Sequence, residues 1–129
     1  MANKINSVQD LEIYNLANKL TIDIYKITSG FPKEERFGIV DQLRRASSSI
    51  GANIAESFGR YHRKDKVNFL YHARGSLIEC QHFCLLSYKL HFLKSDELED
   101  LKKQIRNLGV KINNYISAIV KDYKSTELQ

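Results

Sequence analysis

The chain has no tryptophan, one proline (Pro32), two cysteines and six glycines among 129 residues. With so little proline, long helices can run uninterrupted, and no Gly/Ser/Pro linker divides the chain, so one domain is expected. Two cysteines exclude a disulfide framework. Cys80 and Cys84 are four apart, on one face of a predicted helix. Their side chains would stand side by side in a geometry that does not bridge. Free, buried thiols in a reducing cytoplasm are the expected state, and as metal ligands the pair would need two further partners. No apolar run approaches the roughly 18 residues of a membrane span. The N-terminal MANKINSVQDLEIYN lacks the apolar segment of a signal peptide.

Catalytic patterns are missing as well. There is no phosphate-cradling glycine loop and no nucleophile elbow. The one Glu-x-x-His pair, Glu79 and His82, is half of what a di-iron bundle needs, and the further carboxylates are absent. His62, His72, His82 and His91 do not follow an arginine at the spacing used by helical ribonucleases of the HEPN class. The chain reads as a binding protein without enzymatic activity or cofactor.

Four helical patterns fill nearly all of it. Ser7 and Asp10 make an N-terminal cap. Ile13, Ala17, Leu20, Ile24, Ile27 and Phe31 then recur at steps of four and three, an apolar stripe on one face. Ser29-Gly30 and Pro32 stop this first helix, read as residues 8–29. The second, 33–57, opens with Glu34 and Glu35 and carries Ile39, Leu43, Ala46, Ile50 and Ile54. Its middle, residues 46–52, is rich in serine, alanine and glycine; serine and glycine are mediocre helix formers, and small side chains let a neighbouring helix come close. The third, 63–91, uses Leu70, Ala73, Leu77, Cys80 and Cys84. Phe69, Ile78, Phe83, Leu85, Leu86 and Tyr88 give it a second apolar face, so the helix is either central or covered by a second partner; a subunit interface is the favoured reading. The fourth, 96–121, uses Leu98, Leu101, Ile105, Leu108, Ile112, Tyr115 and Ile119, with a polar, frayed tail over 122–129. Short links force antiparallel neighbours, so the fold class is all-α: an up-down-up-down four-helix bundle.

The formal charge is +5, and residues 33–74 hold nine cations against five acids. The positive charge concentrates where helix two gives way to helix three, at Arg60-Tyr61-His62-Arg63-Lys64-Asp65-Lys66, with Arg44 and Arg45 upstream and Arg74 downstream. Arginine and lysine neutralise phosphates, while Tyr61 and the guanidinium planes can stack on unpaired bases. Nothing here reads a base sequence, so the expected binding is driven by shape or by single strands. The bland reading of Arg44, Arg45 and Arg74 is pairing with Asp41, Glu56 or Glu79. Asn53 and Glu56, three apart on helix two, are read as a buried polar node that fixes helix register. The competing reading turns Glu56 outward into solvent.

The stretches Phe31-Pro32-Lys33-Glu34-Glu35-Arg36-Phe37-Gly38, Gln42-Leu43-Arg44-Arg45-Ala46-Ser47-Ser48-Ser49-Ile50 and Asn53-Ile54-Ala55-Glu56-Ser57-Phe58-Gly59-Arg60 carry a family resemblance, and so does the later 69–79. They resemble the bacterial four-helix bundles encoded in intervening sequences of 23S ribosomal RNA genes, once called S23 ribosomal proteins. Gly51 stands where relatives often carry proline and Ser57 where they often carry glycine. The resemblance implies a homopentameric ring of bundles with no enzymatic activity. The chain is also similar to the accessory variability determinant of diversity-generating retroelements, a basic barrel that binds nucleic acid and a reverse transcriptase. Two functions follow as expectations. One is a pentameric protein gripping structured RNA or RNA/DNA through a repeated basic edge. The other is a scaffold docking an acidic protein, such as a polymerase, without touching nucleic acid.

Overall fold

The computed structural model describes residues 5–127, with side-chain detail to residue 122. A 3-10 turn, Val8–Asp10, leads into four helices: α1 (Glu12–Thr28), α2 (Ile39–Gly59), α3 (Arg63–Lys89) and α4 (Ser95–Glu127). A second 3-10 turn, Lys33–Glu35, lies in the link between α1 and α2. No strand occurs among the described residues. Each helix packs on its sequence neighbours, and α4 closes back onto α1. The closest backbone packing is between α2 and α3, and among the described residues the diagonal pairs do not approach within 8 Å at their Cα atoms. This is the expected bundle.

The helix ends differ from the sequence reading, for local reasons. The cap at Ser7 and Asp10 is built on the 3-10 turn. The Asp10 carboxylate accepts the N–H groups of Asn6 at 2.8 Å and Ser7 at 3.0 Å. These bonds hold its carboxyl below the usual range. Leu11 is then extended (φ −84°, ψ 125°), so α1 starts at Glu12, not at residue 8. Glu34 and Glu35 do open a turn, but a separate one. Gly38 breaks the backbone (φ −107°, ψ −115°), and α2 begins at Ile39, not at residue 33. The Glu35 carboxylate reaches the Ile39 N–H at 3.4 Å, placing an acid at the positive end of the helix. At the other end, α2 runs to Gly59, past residue 57.

Helix α3 closes at Lys89, before residue 91, in a Schellman motif. The N–H of Phe92 bonds the Ser87 carbonyl at 2.9 Å, and the N–H of His91 bonds that of Tyr88 at 3.0 Å. His91 takes φ 67°, a left-handed conformation usually given to glycine. Helix α4 continues to Glu127, beyond the expected end at 121; residues 128–129 of the expected tail lie outside the described residues.

The predicted stripes form the core. Leu20, Ile24, Leu43, Ile50, Ile54, Leu70, Leu101, Leu108 and Ile112 are fully buried, with the thiols of Cys80 and Cys84 among them. Burying one such aliphatic side chain contributes roughly 1.5–3 kcal/mol. The small residues of α2 do admit a neighbour. A Cβ on Gly51 would fall 2.8 Å from Asn18 Oδ1 and 3.9 Å from the Ala17 Cβ. Four residues earlier, the Thr21 hydroxyl of α1 donates to the Ser47 carbonyl of α2 at 3.0 Å.

The second apolar face of α3 divides in two. Phe83 and Leu86 pack against the core. Ile78 (62% exposed), Leu85 and Tyr88 face solvent, with Tyr71 one heptad before Ile78. Val110 of α4 is exposed as well.

Candidate nucleic-acid interface

The basic corner is a tight elbow at residues 60–62 between α2 and α3. Arg60 and His62 are both extended. A reciprocal clasp closes its base. The Ser57 hydroxyl donates to the Lys66 carbonyl at 2.7 Å. In return the Lys66 ammonium donates to the carbonyls of Phe58 at 3.1 Å and Ser57 at 3.3 Å. Those carbonyls lie in the last turn of α2; Ser57 also accepts the Arg60 N–H at 3.2 Å, and Lys66 adds a side-chain cap over both.

On the outside of the elbow stand Arg60, Tyr61, Arg63 and Lys64. Arg60 pairs with Glu56 at 2.6 Å, and its guanidinium lies 4.7 Å from the centroid of the Phe69 ring. Tyr61 is 90% exposed and meets His62 edge-on, centroids 5.2 Å apart and planes at 87°. Phe69 in turn contacts His72, at 6.0 Å between centroids. Tyr61, His62, Arg63, Lys64 and Asp65 line an open hollow of about 590 Å³. Arg63 is half-buried and Lys64 exposed. Both belong to the first turn of α3, where the positive end of the helix dipole adds to their charge.

The other predicted cations lie elsewhere. Arg44 is half-buried and closes the C-terminus of α1. Its Nε donates to the Thr28 hydroxyl at 3.0 Å, its Nη2 to the Tyr25 carbonyl at 3.2 Å and to the Ser29 hydroxyl at 3.4 Å. The guanidinium also sits 4.6 Å from the Tyr25 ring centroid. Arg45 is exposed and pairs with Asp41 at 3.1 Å. It is fifteen residues before Arg60 on α2, about 22 Å along the axis. Arg74 belongs to the α3–α4 groove, donating to Asn113 Oδ1 at 3.0 Å and lying over the Tyr71 ring at 4.8 Å. The eight residues read as one site therefore divide among three places.

The polar node needs a correction. Glu56 is exposed and turned to Arg60, so it does not meet Asn53. Asn53 is half-buried and donates to the Ser49 carbonyl at 2.8 Å and the Ser49 hydroxyl at 3.0 Å. Ser49 also accepts the Ser76 hydroxyl of α3 at 2.9 Å. The junction that ties α2 to α3 is Ser49, Asn53 and Ser76. A carboxylate at that depth would need a cation beside it, whereas small neutral groups satisfy one another. Sequence reasoning also missed Phe69 as the seat of Arg60. That contact crosses the elbow, and spacing along one helix gives no signal for it.

The model of the 23S rRNA-intervening sequence proteins matches residues 9–114. The chain belongs to that family. The match spans α1 to α3 and most of α4, and so includes the elbow and the Ser49–Asn53–Ser76 junction. A search of curated proteins finds no match. Among solved structures, the chain is similar to a protein of unknown function from the S23 ribosomal protein family of Bacteroides thetaiotaomicron. The two share 20% identity with a TM-score of 0.73, over 81% of this chain and 97% of that one. At that identity the likeness establishes the family's fold and nothing further. Among the described residues, no group of three or more His, Cys, Asp or Glu side chains could hold a metal ion, and no helix is long and apolar enough to cross a membrane.

Proposed function

We propose that this intervening-sequence protein is a non-enzymatic homo-oligomer, a pentamer by the family resemblance, that binds structured RNA or RNA/DNA hybrids through the α2–α3 elbow repeated around one edge. The observation that carries the reading is the outward grouping of Arg60, Tyr61 and Lys64, with Arg63 half-buried beside them, on a short connection held in place by the Lys66–Ser57 clasp. Arg44 and Lys66 serve as helix caps and leave the footprint. Arg45 contributes long-range attraction only.

Self-association is supported by Tyr71, Ile78, Leu85 and Tyr88 along one side of α3, an exposed apolar set of the kind that marks interaction surfaces. Five copies at +5 each bring +25 to one particle. Weak phosphate contacts then act together through effective concentration and counterion release. The same exposed set favours, as a second reading, a scaffold that docks a protein partner such as a polymerase.

The test is binding of a structured RNA and of an RNA/DNA hybrid at two ionic strengths, beside sedimentation of the free protein. Changing Arg60, Arg63 and Lys64 together to glutamate is expected to weaken both ligands alike. It should also flatten the salt dependence by about one unit of slope for each phosphate no longer neutralised. Unchanged binding at equal salt would sink the site assignment, and a monomer at micromolar concentration would sink the assembly.

A further inference from the structure

We propose that the elbow takes unpaired nucleotides by stacking, with Tyr61 as the base platform and Arg60 as a second planar surface, so that the unpaired segments of a structured nucleic acid are held more tightly than its duplex parts, which the cations alone contact. The proposal rests on the nucleic-acid reading above and names its ligand class. Tyr61 is the most exposed large apolar side chain of the described residues, at 90%. A tyrosine so placed adds nothing to the core, and one face of a ring at the tip of an elbow stays open to a flat partner. His62 lies against the ring at 5.2 Å between centroids with the planes at 87°, and at 90% exposure the rest of the ring is open.

Arg60 supplies the second surface. Phe69 supports its guanidinium from below, Glu56 holds it from the side, and 44% of its side chain remains open. Arg63 and Lys64 follow on the next turn, within reach of the phosphates that join two stacked nucleotides. Every base has a π-face, so such a platform tolerates any sequence. In a duplex those faces are covered by neighbouring base pairs, and the grooves of A-form RNA offer a projecting tyrosine no stacking partner.

The experiment uses the full chain with fluorescein-labelled 12-nucleotide oligoadenylate, 12-nucleotide oligouridylate and a 12-base-pair RNA duplex, read by anisotropy at one ionic strength. Tyr61→Ala is expected to weaken the single strands about fivefold to a hundredfold, leaving the duplex within about twofold. Tyr61→Phe keeps the ring and should retain wild-type affinity. Oligoadenylate should bind tighter than oligouridylate, because purines stack more strongly. Lys64→Glu should weaken all three ligands by a similar factor. Far-UV circular dichroism checks each fold, and both side chains are exposed. If Tyr61→Ala leaves single-strand affinity intact, or costs the duplex as much, while Lys64→Glu still acts, stacking is overturned and the basic edge survives. If Lys64→Glu also changes nothing, or no oligonucleotide binds, both readings fall together.

Discussion

Replacing Arg44 by methionine keeps the apolar stem and removes the guanidinium that closes α1. With it go two well-formed hydrogen bonds and one long one, at 3.0, 3.2 and 3.4 Å, and the packing of the guanidinium on the Tyr25 ring at 4.6 Å. Hydrogen bonds to a charged group contribute about 1.5–3 kcal/mol when buried, and a solvent-accessible cation–π contact about 0.5–1 kcal/mol. Arg44 is half-buried and its contacts share one group, so these values overlap. The expected loss is about 2 kcal/mol, or roughly 6–10 °C in Tm for a chain of this size. Arg44→Lys keeps the charge without the fork and should lose about half as much. Arg45→Met removes an exposed i,i+4 pair and should cost only about 0.3–0.5 kcal/mol. Urea unfolding followed by far-UV circular dichroism, at one protein concentration, measures all three. A double-mutant cycle with Thr28→Val should return a coupling of at least about 0.5 kcal/mol. If Arg44→Met costs less than about 0.5 kcal/mol with no coupling, while the salt dependence of RNA binding flattens, Arg44 is a phosphate contact and the capping role is wrong.

His91 holds φ 67°. His91→Gly should therefore stabilise the fold by about 0.5–1 kcal/mol, whereas His91→Val should destabilise it by more than about 1 kcal/mol. Equal midpoints for the two variants in urea would contradict the strain. Cys80 is hydrogen-bonded to Cys84 and buried, both of which push its thiol up, and Cys84 is buried too. Neither should react with Ellman's reagent until the chain unfolds, and both should react then. Rapid modification of the native protein would show that this part of α3 opens.

The apolar stripes were legible because burial in a bundle depends on spacing along one helix. Ile13, Ala17, Leu20 and Ile24 on α1, like Leu70, Ala73 and Leu77 on α3, lie where the period puts them. Helix ends were not, since acids near residue 34 look the same whether they open a long helix or a single 3-10 turn. Only the break at Gly38 decides between them. The cations of the candidate site were the least legible. Arg44 finds its acceptors fifteen to nineteen residues away and Lys66 eight or nine. These partners come from the preceding helix and its end, and composition cannot separate a capping cation from an exposed one. The exposed face of α3 was readable as an apolar excess, because Ile78 and Leu85 sit one step beyond the core positions Leu77 and Cys84.

The clasp between Ser57 and Lys66 has a consequence for affinity. Flexible basic loops give up much of their conformational freedom when a ligand arrives, at about 1–2 kcal/mol for each residue that becomes fixed. Here the connection is only three residues long and tethered at both ends, so its ordering cost falls on folding rather than on association. A few contacts from such a preorganised hinge can hold a ligand that a floppy loop with the same cations would release.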